Sequence, residues 1–181
     1  MKTGTIPFLI LIVVLFSFSG CDEYSSPVPA GKIKESKVDT NYTGLWVYAG
    51  MKGDADSTLS KLDPHFLNIL AYNENCYLLQ LLKKDSIKTN TLPELYEATT
   101  CVLGGKNIVS IRIISNASVS PEYLIYMYGL SNDTLWYNGF QKSKLDKQFN
   151  KTKLLKNYLL NYINDTSVLL PVKQYVRIIS N

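Results

Sequence analysis

The residues able to do chemistry are few and scattered. His65 is the chain's one histidine, and it follows Pro64 at the start of an apolar stretch. No serine–acid pattern and no metal-ligand spacing surrounds it, so a surface histidine is the expected role. Two acidic pairs are close enough to cooperate: Asp54 with Asp56 in a connecting segment, and Glu94 with Glu97 at a strand start. Paired carboxylates can hold Ca²⁺, meet a sugar hydroxyl, or serve as acid and base in glycoside hydrolysis. Solvated loop acids are the simpler reading. Gly-rich phosphate loops, nucleophile elbows and Cys-x-x-Cys do not occur. The expectation is a protein that binds rather than catalyses, with no metal and no cofactor.

Binding would draw on aromatic side chains, which are abundant: 12% of the chain is Phe, Trp or Tyr, with 13 tyrosines among them. Tyr123, Tyr126, Tyr128, Trp136 and Tyr137 fall on two successive strands. By alternation Tyr126 and Tyr128 share a face, whereas Trp136 and Tyr137 take opposite faces of the next strand. One reading is an aromatic-lined pocket for an apolar molecule, a sugar ring or a peptide. The other is ordinary β propensity and core packing. Trp46, Tyr126, Tyr128 and Trp136 are the positions expected to touch a ligand.

The elements that must position these residues read as strands. Apolar runs at Phe66–Asn73 and Cys76–Leu82 flank Asn73-Glu74-Asn75, a hairpin signal. Leu95–Leu103 is followed by Gly104-Gly105-Lys106-Asn107. Val109, Ile111 and Ile113 alternate with Ser110, Arg112 and Ile114, as a strand with one buried face requires. Tyr123–Leu130 and Thr134–Phe140 are separated by Ser131-Asn132-Asp133. Short turns between successive strands predict an antiparallel meander closing as a sandwich or barrel.

Residues 150–164 break this pattern. Leu154, Leu155, Tyr158, Leu159, Tyr162 and Ile163 form one helical stripe opposite Lys151, Lys153 and Lys156. The helix is expected to pack on the sheet, with a membrane surface as the competing partner. Val172, Val176 and Ile178, alternating with Lys173, Tyr175 and Arg177, predict a final strand pairing with the first.

Order is expected to begin at Tyr42-Thr43-Gly44-Leu45-Trp46. A Gly-x-Trp on the first strand resembles the start of lipocalin-like barrels, and the resemblance implies that Trp46 plugs one end. The fold expected for residues 42–181 is therefore a single mainly β domain: an antiparallel meander closing as a lipocalin-like barrel or half-barrel, with one C-terminal amphipathic helix and a final strand.

The N-terminus sets a location. Lys2 precedes an apolar run from Ile6 to Phe16, broken only by Pro7 and too short to cross a bilayer comfortably. The run gives way to Ser17-Phe18-Ser19-Gly20-Cys21, which resembles the lipobox of bacterial lipoproteins, with Phe18 where an aliphatic residue is usual. The resemblance implies removal of residues 1–20 and a diacylglyceryl group on Cys21. Each buried CH₂ would contribute about 0.8 kcal/mol, so two or three acyl chains would hold the protein on a membrane of the bacterial envelope. Asp22 and Glu23 resemble an inner-membrane retention signal in some bacteria and a surface-export signal in others, so the leaflet stays open. Residues 21–41, with Pro27, Pro29 and Gly31 and no periodicity, read as a lipidated flexible tether.

With Cys21 assigned to lipid, Cys76 and Cys101 remain. A hairpin centred between Lys88 and Thr89 would set them directly opposite, within disulfide range. The competing reading is two small buried hydrophobes. A formal charge of +4 with lysines spread along the chain carries no nucleic-acid footprint. Five Asn-x-Ser/Thr sites, at Asn41, Asn116, Asn132, Asn150 and Asn164, read as by-products of an Asn-rich composition. Three function classes follow in order: a tethered binder of a small apolar molecule, an envelope interaction module docking through a sheet edge or the 150–164 helix, and an enzyme acting on glycans or lipids.

Overall fold

The computed structural model describes residues 23–52, 65–83, 93–114 and 122–178. The strands are β1 (Ser25–Ser26), β2 (Gly44–Met51), β3 (His65–Ala71), β4 (Tyr77–Lys83), β5 (Glu94–Leu103), β6 (Lys106–Ile113), β7 (Tyr123–Ser131), β8 (Thr134–Gly139) and β9 (Lys173–Arg177). Among the described residues one α-helix, α1 (Thr152–Leu160), lies between β8 and β9. From β2 to β9 each strand pairs antiparallel with the next, and β9 pairs back onto β2 through Trp46↔Arg177 and Tyr48↔Tyr175. The result is a closed barrel of eight antiparallel strands, with β1 as an extra strand on β7 through Ser25↔Leu124. Closure pairs the edges a flat sheet would leave bare.

Alternation decides what each strand buries. Ile69, Leu79, Ala98 and Tyr175 point inward with Trp46, forming the inner core. The opposite faces of β5, β6 and β7 are apolar as well, through Leu103, Ile108, Ile125 and Met127. That outer surface is where α1 packs. Leu155 and Leu159, four residues apart on one stripe, are fully buried there. Each contributes roughly 1.5–3 kcal/mol by leaving water. The helix thus covers the side of the barrel through Leu155 and Leu159, while Leu154 and Leu160 stay exposed.

Trp136 also belongs outside, contrary to its expected place at a ligand. Its indole lies over Gly129, where a Cβ would come within 2.3 Å of the ring, and it joins the cluster around α1. Gly129 is what lets the ring lie flat on β7.

The segment expected to be a free tether is instead packed against the barrel over residues 23–41. Tyr24, Ser26, Ala30 and Ser36 are buried. The backbone N–H of Ala30 donates to Ser110 Oγ at 2.9 Å, and Thr100 N–H donates to Ser36 Oγ at 2.8 Å. Gly31 crosses Cys101 so closely that a Cβ would sit 2.5 Å from the cysteine's own. This strap passes over β6 and β5 and reaches the turn between β3 and β4, where Val38 N–H donates to Glu74 O at 3.2 Å. It holds by single hydrogen bonds at irregular intervals, which hydrophobic periodicity does not register.

Of the two readings of Cys76 and Cys101, the disulfide does not form, and both are free thiols. The register Tyr77↔Ala98 continues to Cys76 opposite Thr99, two residues short of Cys101. Diagonal neighbours of that kind stand about 7–8 Å apart, beyond disulfide reach. Burial pushes both thiols above their ordinary pKa, which suits inert buried groups.

Candidate functional site

The two ends of the barrel differ. At one end the strands turn tightly at 72–76, 104–105 and 132–133. Trp46 closes this end and is 0% exposed. Its Nε1–H donates to Tyr42 O at 3.1 Å, and the Arg177 guanidinium lies 4.3 Å from the ring centroid. Arg177 donates in turn to Thr43 O at 2.9 Å and to Asn41 O. Tyr128 meets Tyr42 edge-on at 5.1 Å. The plug expected from Gly44-x-Trp46 is therefore present, secured by a cation over its face.

Between this plug and the other end lies a cavity of about 280 Å³. Leu67, Leu79, Leu81, Val109 and Ile111 supply apolar wall, with Ala98 leaving room opposite them. The volume is near the lower edge of small-molecule pockets, roughly 300–1,000 Å³.

The far end, the mouth, is where the connections 53–64, 84–92 and 115–121 join their strands; these lie outside the described residues, and Asp54 and Asp56 with them. Five rings follow one another around its wall, one from each of β3, β2, β9, β8 and β7. His65 meets Tyr48 at 6.3 Å, Tyr48 meets Tyr175 at 5.3 Å, Tyr175 meets Tyr137 at 5.9 Å, and Tyr137 meets Tyr126 at 5.4 Å. One ion pair sits among them. Glu23 accepts from the Tyr126 hydroxyl at 2.8 Å and from Lys173 Nζ at 3.3 Å, and Lys173 lies over the Tyr137 ring at 5.7 Å. Glu23 and Lys173 both line the cavity. The site thus combines an apolar interior with a charged, hydroxyl-bearing rim, as an amphiphilic guest would require.

The expected ligand residues divide accordingly. Tyr126 and Tyr128 line the cavity, Trp46 is buried in the core at the plugged end without lining it, and Trp136 packs on the outer face. Glu23, Tyr96, Tyr137, Lys173 and Tyr175 line it without having been singled out as ligand residues. The acidic pair Glu94 and Glu97 does not converge. Glu94 accepts from the Tyr96 hydroxyl at 2.5 Å, whereas Glu97 holds Arg112 Nε at 2.6 Å on the outer face. Cys21 lies outside the described residues. No helix among the described residues is long and apolar enough to cross a membrane.

Burial governs tyrosine ionisation here. It raises the pKa of Tyr96, Tyr128, Tyr137 and Tyr175, and it raises Tyr24 to about 12. Tyr24 donates its hydroxyl proton to Lys147 O at 2.7 Å and loses that bond on ionising. The unfolded chain releases tyrosine protons from about pH 10, before the folded chain does, so stability is complete below that value and falls above it. An alkaline titration should therefore show tyrosinate absorbance rising together with loss of near-ultraviolet circular dichroism between pH 10 and 12. A smooth non-cooperative rise with the fold retained would contradict this.

Fold and site together define a closed eight-stranded antiparallel β-barrel, plugged at one end and hollow beneath a tyrosine-rich mouth. No family model matches the chain, and no curated protein or solved structure matches it.

Proposed function

We propose that this chain is a lipid-anchored lipoprotein of the bacterial envelope whose lipocalin-like barrel binds a small apolar molecule. The apolar cavity beneath Glu23, Lys173 and the mouth tyrosines carries this reading. Side chains able to pack it solid leave it hollow, and a dry apolar void costs stability unless something fills it. The anchor draws its support from the N-terminal pattern ending at Cys21, and Cys21→Ser is expected to move the protein from the membrane to the soluble fraction. The docking alternative has less to draw on: Leu155 and Leu159 of α1 are buried on the barrel, and the last strand pairs with the first.

Titration with N-phenylnaphthylamine, which brightens on leaving water, tests the reading. Saturable enhancement at one dye per chain is expected; enhancement that never saturates, or none, would count against it.

A further inference from the structure

We infer that the barrel mouth faces the bilayer that holds Cys21, so that the cavity opens onto lipid rather than bulk water. This rests on the lipid-anchor reading above and adds an orientation to it.

The observation is the place Glu23 takes in the fold. Glu23 is fixed at the mouth: its carboxylate is held by Tyr126 and Lys173, its backbone bridges to Gln141, and the next residue, Tyr24, is buried with its N–H donating to Phe140 O at 2.8 Å. Only Asp22 separates Glu23 from Cys21. Two Cα–Cα steps of about 3.8 Å keep the two residues within roughly 7.6 Å of each other. The headgroup layer on either side of the hydrocarbon is about 5–8 Å thick. A diacylated Cys21 at that layer leaves no length for the domain to stand clear, because the residues that would have served as tether are packed as a strap running from the mouth to the plugged end.

The opposite end is out of reach of the headgroups. Ten residues of β5 run between the two ends, about 30 Å of strand, or roughly 20–25 Å along the axis of a barrel whose strands tilt by about 35–45°. What the mouth presents to the membrane suits an interface: the half-buried rings of Tyr48 and Tyr137 and the amines of Lys52 and Lys173, above the buried ring of Tyr175. An apolar guest in the bilayer could then enter the cavity without crossing water.

Lys52, exposed at the mouth end of β2, and Lys106, exposed at the plugged end of β6, make an internal comparison. The full chain, carrying its native lipid, is reconstituted on vesicles of phosphatidylcholine with a minor share of phosphatidylglycerol and acetylated at amines under limiting reagent. Mass spectrometry should find Lys52 modified several-fold more slowly than it is in the chain freed from vesicles, with Lys106 unchanged. A flexible Gly-Ser insertion between Asp22 and Glu23 should restore Lys52 while leaving the protein on the vesicles. Equal protection, or none, at the two lysines of the acylated chain would overturn the orientation and leave the anchor intact. An intact mass without acyl chains on Cys21 would overturn the anchor reading and this inference with it. An acylated chain that stays off the vesicles, its own acyl group housed in the barrel, would overturn the orientation.

Discussion

Trp46→Ala is expected to destabilise the fold by about 3–5 kcal/mol, the range for removing a fully buried large aromatic side chain. Trp46 is 0% exposed and closes the narrow end of the barrel, so a void there has few neighbours able to collapse into it. The loss extends beyond volume. Arg177 stacks on the indole at 4.3 Å, and the Nε1–H bond to Tyr42 O at 3.1 Å ties the strap to β2. Without the ring, Arg177 loses a cation–π partner and the last turn of the strap loses its fastening. Chemical denaturation should report a lower midpoint, with thermal unfolding shifted down by roughly 10 °C. Trp46→Phe keeps a ring beneath the guanidinium and should recover more than half of the loss. Were the two variants equally damaged, the indole N–H rather than the plug would be the principal contribution.

The second large effect concerns binding. Ala98 is 1% exposed and lines the cavity opposite Tyr77 and Ile111. Ala98→Trp should send an indole into the void, weakening N-phenylnaphthylamine binding at least about tenfold, or about 1.4 kcal/mol. The bulk enters existing space, so the usual overpacking penalty of about 1–3 kcal/mol should be partly offset and the barrel should remain folded. Leu79→Ala makes the opposite change: it enlarges the cavity, lowers stability by about 2–5 kcal/mol and leaves the dye site open. Loss of dye from Ala98→Trp together with retention in Leu79→Ala would separate filling of the cavity from damage to the fold. Equal binding by both would place the dye elsewhere on the protein.

The strands were legible because alternation and turns leave strong local signals. Val109 and Ile111 face inward as their spacing predicts, and Asn73-Glu74-Asn75 turns the β3–β4 hairpin. Closure followed from the same pattern, with β9 returning to β2. What alternation cannot tell is which face is the inside when both are apolar. On β8 Tyr137 and Trp136 point opposite ways and both are partly buried, one at the cavity and one beneath α1. Between the two readings of the cysteines register decides: a hairpin axis between Lys88 and Thr89 would pair Cys76 with Cys101, and the observed ladder is displaced from it by one residue.

The site itself was only half legible. Tyr126 and Tyr128 belong to a visible aromatic cluster. Glu23 and Lys173 sit 150 residues apart, and nothing local marks them as partners. Glu23 was hidden inside a segment carrying Pro, Gly and Ser whose attachment runs through scattered hydrogen bonds, Ala30 N–H to Ser110 Oγ, Thr100 N–H to Ser36 Oγ and Asn75 Nδ2–H to Ser36 O. Its packed state matters beyond the fold, because it removes the slack between anchor and barrel.

Native mass spectrometry of the chain extracted from its own membranes tests the central claim most directly. The account predicts a species heavier than the acylated polypeptide by one small molecule, lost on denaturation and missing from Ala98→Trp. A wild-type species at the bare acylated mass, unchanged after incubation with apolar compounds and showing no saturable dye uptake, would contradict it.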